Sequence, residues 1–263
     1  MTDRRIAVVG DNTIDRFLGD DPHDLIGGNA VNVAVQLALA GHSVAYYGAV
    51  GPDDDGQRVR TALEEKGVDI HGLVVRDGRT AVTEIVRSAT GERFFAREDF
   101  GVTAEYVPGP DHLDEIAGSD WVHIGMQPKS DDVRRGLLRR APGLRISQDS
   151  SVSPGHHDMY VSFLSGGEDA LAESAALEVL AAGASIAVVT LGAAGAYAQE
   201  AGGTSERIPA APTRVVDTTG AGDSFIAGFI SARLADADLR SAMESGAAFA
   251  ARTCGHVGGY PQP

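Results

Sequence analysis

The sequence predicts an α/β fold with a mostly parallel central sheet covered by helices on both faces. Short β-rich apolar runs alternate with helical periods along most of the 263 residues, the rhythm of a parallel sheet with crossover helices. Several of those runs are apolar throughout, as strands buried on both faces are. The 33 glycines are spread between them without a period, which suits a fold that brings backbone close to ligands in several places. A composition of 43% hydrophobic and 22% charged residues is that of a globular chain, and the length permits one continuous core. A single unit spanning 1–263 is therefore expected.

RRIAVVG reads as a first central strand. Asn29 to Ala40 is a buried helix stopped by Gly41. HSVAYYGAVG is the next strand, and GQRVRTALEEKG a helix with a polar and an apolar face ending at Gly67. Between Thr80 and Arg97 the pattern becomes period-2 and turns around Thr90-Gly91, which predicts a protruding β-hairpin. The weakly patterned piece from Asp15 to Ile26 is a candidate to pair with it. The α/β rhythm then resumes with DWVHIG as a strand, SDDVRRGLLRR as a short helix, and LRISQD and MYVSFLS as strands. A helix from Glu168 to Ala182 closes at Gly183, and SIAVVTLG is a buried strand. Short strands follow around Ala196 and Ile208, and then an apolar helix after TTGAGD. A last helix runs from about Leu239 to Thr253. Ser150 to Asp158 has no period and reads as a loop.

Lys and Arg number 22 against 37 Asp and Glu, a formal charge of −15, with no basic block. Nucleic acid is not an expected partner, because backbone phosphates need clustered cations. Cys254 is the one cysteine, so neither an intrachain disulfide nor a thiolate metal cluster can form; a small apolar packing role is expected for it. No run approaches the roughly 20 apolar residues of a membrane span, and Gly10 and Asp11 interrupt the only early apolar run. The expected location is cytoplasmic, with no membrane partner.

The sharpest motif is Asp217-Thr218-Thr219-Gly220-Ala221-Gly222-Asp223. Glycines at the start of an apolar helix leave N–H groups free, so an anion can sit there against the helix dipole. Asp223, in the first turn, could accept a proton from an attacking hydroxyl. The same residues also suit a glycine-rich cap with an Asp placed favourably against the dipole. No dinucleotide G-x-G-x-x-G opens the first helix, and no G-x-x-x-x-G-K-[ST] loop is present, so any nucleotide must be handled by the distal half of the chain.

TTGAGDSF resembles the C-terminal signature of the ribokinase-like, PfkB-type carbohydrate kinases, and Gly27-Gly28-Asn29-Ala30-Val31-Asn32-Val33-Ala34 resembles their N-terminal glycine pair and helix Asn. The resemblance covers essentially the whole chain. It implies a three-layer ribokinase-like fold, a small β lid formed by approximately 13–26 and 78–103, and an ATP-dependent kinase using Mg²⁺ on a small-molecule sugar. By resemblance, Asp223 is the catalytic base and Gly220, Ala221 and Gly222 form the anion hole. Asp15, with Asp11 beside it, Gly27, Gly28, Asn29 and Asn32 contact the sugar. Asn29 stands where ribokinases have lysine, so one basic contact is absent and ribose is a weaker expectation than a ketose or modified hexose.

Thr190, Gly192 and Gly195 resemble the strand-end loop near the nucleotide, although a plain strand and turn would look the same. Gly255 and the tail to Gly259 are expected beside adenine. Ser165-Gly166-Gly167-Glu168 resembles the family's Asn-x-x-Glu with Ser for Asn, leaving Glu168 to organise Mg²⁺ through water or merely to open its helix. Asp217 and Thr219 resemble residues that surround K⁺ in some members. His156, His157 and Asp158 lack further evident ligands, so a solvated loop is expected there rather than a metal site. Arg134, Arg135, Arg139 and Arg140 are expected on an exposed helix face.

The string GDNTIDRF, the short gap from Asp15 to Gly27 and the length resemble the fructoselysine 6-kinase branch, whose acceptor is a fructose carrying an amino-linked amino acid. Hairpin residues Glu84, Glu92, Glu98 and Asp99 could meet such an amine arm, Arg93 and Arg97 could meet an anionic group, and all could equally be solubilising. The alternatives are a fructokinase or other sugar or nucleoside kinase, and a catalytically silent sugar-binding regulatory protein. A homodimer through the lid is a further expectation.

Overall fold

The computed structural model describes residues 4–19, 22–87, 93–155, 157–166 and 171–262. The strands are β1 (Arg5–Val9), β2 (Thr13–Leu18), β3 (His23–Gly27), β4 (Ser43–Val50), β5 (Asp69–Val75), β6 (Val82–Arg87), β7 (Arg93–Asp99), β8 (Trp121–Ile124), β9 (Arg145–Asp149), β10 (Val161–Ser165), β11 (Ile186–Thr190), β12 (Ala196–Glu200) and β13 (Ser205–Ile208). The helices are α1 (Asn29–Leu39), α2 (Asp54–Glu65), α3 (Pro110–Ala117), α4 (Ser130–Arg140), α5 (Ala172–Ala181), α6 (Ala221–Leu234) and α7 (Leu239–Thr253). The nine-stranded sheet has the order β13-β12-β11-β10-β9-β8-β1-β4-β5. It is parallel from β5 to β11, and β12 and β13 are antiparallel.

The three layers follow from side-chain alternation. Ile6 and Val8 of β1 pack with α1, α2, α6 and α7 on one face. Ala7 and Val9 pack with Ile116 of α3 and Val133 and Leu137 of α4 on the other. Because β1 is paired on both sides, by β4 and β8, all of its apolar residues are buried. From β1 the chain builds outward to β4 and β5, then returns to place β8 on its opposite side. That reversal makes a crevice at the carboxyl ends of β1 and β8, the location where open α/β sheets bind ligands.

A second sheet of order β3-β2-β6-β7 joins the segment after β1 to the hairpin, with β2 and β6 parallel. Leu18 and Val86 remain exposed on it. Arg16 and Arg58 each pair with both Asp24 and Asp55, joining this sheet to α2. The C-terminal tail forms a second tie: Ile26 N donates to Gln262 Oε1 at 2.8 Å, and Gln262 Nε2 donates to Ile26 O at 2.7 Å.

Two elements escape the sequence pattern. Strand β5 carries Asp69, His71 and Gly72 among its apolar residues because it is an edge strand paired only to β4. Helix α3 has only eight residues, with Pro110 in its first turn. Arg134 corrects the exposed-face expectation for α4: it is 2% exposed and donates to Gln148 Oε1 at 2.6 Å and to Asp131, whereas Arg135, Arg139 and Arg140 lie on the open face. Helix α5 starts at Ala172, and residues 168–170, with which the sequence pattern opens it, lie outside the described residues.

One carboxylate joins two segments near the second sheet. Asp53 caps α2 by accepting from Gly56 N at 2.9 Å, and also accepts from Thr80 Oγ1 at 2.5 Å and Thr80 N at 2.9 Å just before β6. Asp53→Ala removes a cap and leaves Thr80 N–H without its acceptor, a cost of about 2 kcal/mol. A fall of roughly 5 °C in melting temperature is expected by differential scanning calorimetry; an unchanged midpoint would contradict this role.

Candidate active site

The crevice is floored by residues that directly follow strands. Asp11 comes two residues after β1, and its carboxylate accepts from Asn29 N at 2.9 Å and Ala30 N at 3.0 Å. It thereby caps α1, whose own N-cap is Gly28 with no side-chain bond. Gly28 has φ 109°, and a Cβ there would lie 2.7 Å from Asn12 Cα, so the crossing of these backbones requires glycine. Asp11 is 6% exposed. Burial raises its pKa to about 6, outweighing the bonds from Ala30 and Asn29.

Asn29 and Asn32 are three residues apart on α1 and so share a face. Asn29 Nδ2 donates to Asp223 Oδ1 at 2.6 Å and to Asp149 Oδ2 at 2.8 Å; Asn32 Nδ2 donates to Asp223 Oδ2 at 2.7 Å. Asp223 is thus held at both oxygens by neutral amides. Its carboxyl is surrounded by protein although part of the residue faces the crevice. Burial raises its pKa well above the ordinary 3.8, and the nearby Asp149 and Asp11 add to the rise while the Asn32 and Asn29 bonds oppose it. The carbonyl oxygens of Asn29 and Asn32 are buried without a protein partner, packed beside Gly125 and Gly259 respectively.

Helix α6 begins against this cluster. Gly220 caps it with φ 72°, and a Cβ there would overlap Gly259 Cα. At Gly222 a Cβ would meet nothing, so packing does not demand glycine and the space beside it opens to solvent. Ala221 N donates to Thr218 O at 3.2 Å, which corrects its expected place as a free donor. The N–H groups of Gly220 and Gly222 make no backbone hydrogen bond among the described residues. Asp217 fixes the turn: its Oδ1 accepts from Thr219 N and Oγ1, both at 2.9 Å, and its Oδ2 from Gly258 N at 2.8 Å. Beside it Val215 and Val216 are more than half exposed and Val257 is 40% exposed, an open apolar shelf at an otherwise polar turn.

Gly27 places backbone over Asp15, since a Cβ would lie 2.5 Å from Asp15 Oδ2. Asp15 itself sits on β2, opposite Leu25 of β3 and Thr83 of β6. Thr190 ends β11, and Gly192 and Gly195 stand in the turn that follows it. Their local reasons are visible: Thr190 Oγ1 donates to Leu164 O at 3.2 Å, Gly192 has φ 55°, and Gly195 packs under Ile208 O. Gly255 N donates to Arg252 O at 3.0 Å in the turn after α7, and Cys254, half-buried rather than fully enclosed, accepts from Val216 N through its carbonyl. Glu168, Glu92 and His156 lie outside the described residues, as does the side chain of Arg93. Arg97 pairs with Asp99 at 3.0 Å. His157 Nδ1 donates to Ala182 O at 2.9 Å, and no metal-holding cluster occurs among the described residues.

Sequence reasoning missed Asp149 and the Val215, Val216 and Val257 shelf. Asp149 carries the same signal as Asp11, an acid at the end of a buried strand. Two shallow depressions elsewhere, one lined by Arg76, Tyr106 and His112 and one by Leu144, Asp158 and Tyr160, contain none of the cluster.

The raised Asp223 carboxyl has a stability consequence. The folded protein holds that proton above pH 3.8, where the unfolded chain has released it, so its stabilising contribution is full at low pH and lost as pH rises through the folded pKa. Asp223→Asn removes this titration, and the unpartnered carbonyl of Asn32 can turn to meet the new amide. Measured from about pH 4 to pH 8, the melting temperature of the variant relative to the parent should shift in the variant's favour. A difference constant with pH would contradict the enclosed, proton-holding carboxyl.

Comparison with known proteins follows the same geometry. The chain is 32% identical over 265 residues to a fructoselysine 6-kinase of Shigella flexneri, covering 98% of this chain and 100% of that protein. It is 33% identical over 252 residues to an ATP-dependent ribose-1-phosphate kinase of Halopiger xanaduensis, covering 90% and 83%. The solved structure of Arabidopsis thaliana ribokinase complexed with ribose and ATP superimposes with a TM-score of 0.86 at 19% identity, over 98% of this chain and 94% of that one. The profile of the pfkB family of carbohydrate kinases matches residues 6–130 and 152–263, and the chain belongs to that family.

Proposed function

We propose that this protein transfers the γ-phosphoryl group of ATP to a primary hydroxyl of a small sugar, with Asp223 as the base, and that the acceptor is fructoselysine or a related fructosyl amino acid. The observation that carries the reading is the meeting of Asp223 with the N-terminus of α6. A proton acceptor and N–H groups without backbone partners lie within one helical turn, as in-line phosphoryl transfer requires.

The residues fit the nucleotide. Gly220 and Gly222 would present N–H groups to the transferring phosphoryl group, and the open space at Gly222 gives it room. The Val215, Val216 and Val257 shelf suits a flat apolar base, with Thr190 and Gly255 bordering the same end of the sheet. Mg²⁺, when bound with ATP, neutralises phosphate charge; Glu168 is assigned to its water shell by resemblance. Asp217 and Thr219 stay in the reading as a K⁺-responsive turn.

The acceptor hydroxyl would lie against Asp223, with another of its oxygens meeting the carboxylate of Asp15. Asp223 takes the hydroxyl proton, the acceptor oxygen bonds to the γ-phosphorus, and the β–γ bridging bond breaks to release ADP. Asp11, Asp15, Asp149 and Asp223 border the site with no cationic side chain among the described residues that floor it. Such a bowl disfavours a sugar phosphate and favours a neutral or cationic acceptor. This sets the fructosyl amino acid reading above a ribose-1-phosphate reading, although relatives of both names are similarly identical to the chain.

Asp223→Asn is expected to lower kcat by about 10²–10⁴-fold with the fold retained; near-parental turnover would overturn the assignment of the base. ADP release measured with Mg²⁺-ATP across fructoselysine, fructose, ribose, ribose 1-phosphate and adenosine should favour fructoselysine in kcat/KM. A preference for ribose 1-phosphate would contradict the charge argument.

A further inference from the structure

Beyond its charge, Asp149 has no part in the phosphoryl transfer described above, yet it is 9% exposed at the end of β9 and is aimed into the crevice cluster. Its Oδ1 accepts from Ser151 N at 2.9 Å, which fixes the carboxylate from below. Its Oδ2 accepts from Asn29 Nδ2 at 2.8 Å. That same nitrogen donates to Asp223 Oδ1 at 2.6 Å, so the two hydrogens of one amide are divided between two carboxylates.

An amide beside Asp223 alone could rotate to exchange its nitrogen for its oxygen. With Asp149 accepting its second hydrogen, the exchanged orientation would set the Asn29 carbonyl against two carboxylates. Only the observed orientation is compatible with both neighbours. Gly125 supports it from the side, where a Cβ would come within 2.6 Å of Asn29 Oδ1.

We propose that Asp149 is a positioning residue for the base, acting through the Asn29 amide to fix the direction of the Asp223 carboxylate. The inference rests on the kinase reading for its consequence in turnover, but not for the coupling itself. The negative charge of Asp149 adds a second effect. The groups facing Asp223 are Asp149 at the end of β9, Asp11 after β1, and the neutral amides Asn29 and Asn32 from α1. Asp149 and Asp11 are the charged members of this set, and both oppose ionisation of Asp223.

The test is a double-mutant cycle. Asp149→Ala, Asn29→Ala and the double variant are assayed for ADP release at a pH above the acid limb of the parent. Each single change is expected to lower kcat roughly ten- to a hundredfold, the size of effect that misplacing a reacting group produces. If Asp149 acts through Asn29, the double variant should lose little beyond the worse single one. Losses that multiply would overturn the proposal, as would unchanged kcat in Asp149→Ala.

A second measurement needs no turnover. The carbon-13 signal of the Asp223 carboxyl, assigned by its absence in Asp223→Asn, is titrated in the parent and in Asp149→Asn, which keeps the shape and removes the charge. A lower titration midpoint in the variant supports the coupling even if no acceptor is ever phosphorylated; an unmoved midpoint contradicts it. Absence of turnover in the parent would count against the kinase reading alone.

Discussion

A carboxylate enclosed by protein must either keep its proton or be met by donors. Asp223 is met at both oxygens by the side-chain amides of Asn29 and Asn32. These come from one helix N-terminus and the carboxylate from another, so the contact joins the start of α1 to the start of α6. Much of the surrounding geometry serves that meeting. Asp11 anchors the first turn of α1, Asp217 shapes the turn into α6, and the missing side chains of Gly220 and Gly259 let their backbones meet beside Asn32. Neutral amides hold the carboxylate without cancelling its charge, a condition an arginine or lysine partner would not meet.

The sheet and its helices were largely legible, because β1, β4, β8 and β11 are apolar on both faces and α1, α6 and α7 carry clear periods or glycine boundaries. Edge elements were not. Strand β5 mixes polar residues because solvent reaches it, and α3 is too short for its period to register. The Asp217 to Asp223 string and the Gly27 to Asn32 string each spell out local geometry, a glycine turn followed by a helix start, so the sequence pointed to the residues that now stand around Asp223. Asp149 stood in view as an acid at a strand end, but its partner did not. Its partner Asn29 is 120 residues away, and no local pattern encodes a pairing made by sheet order. The same holds for Arg134, whose burial against Gln148 depends on how α4 lies over β9.

The second sheet is tied to the main body by two different devices. Arg16, Arg58, Asp24 and Asp55 form a charged lattice with α2, and Gln262 pairs both backbone groups of Ile26. Through Asp217 and Gly258 the same tail reaches the turn before α6. The tail therefore runs from the proposed phosphate cradle to the strand beside Asp15, and the two sides of the proposed acceptor site share one structural support. Glycines at 27, 28 and 220 are placed where these backbones cross most closely.

The central claim is that the N-terminus of α6, with Asp223, forms the phosphoryl-transfer centre. The most direct measurement is a crystal structure with a non-hydrolysable ATP analogue and an acceptor bound together. The account predicts terminal phosphate oxygens at about 2.7–3.2 Å from the Gly220 and Gly222 nitrogens, with an acceptor hydroxyl on Asp223 and pointed at the terminal phosphorus. A terminal phosphate lying away from this turn, or an acceptor whose hydroxyls leave Asp223 untouched, would contradict it.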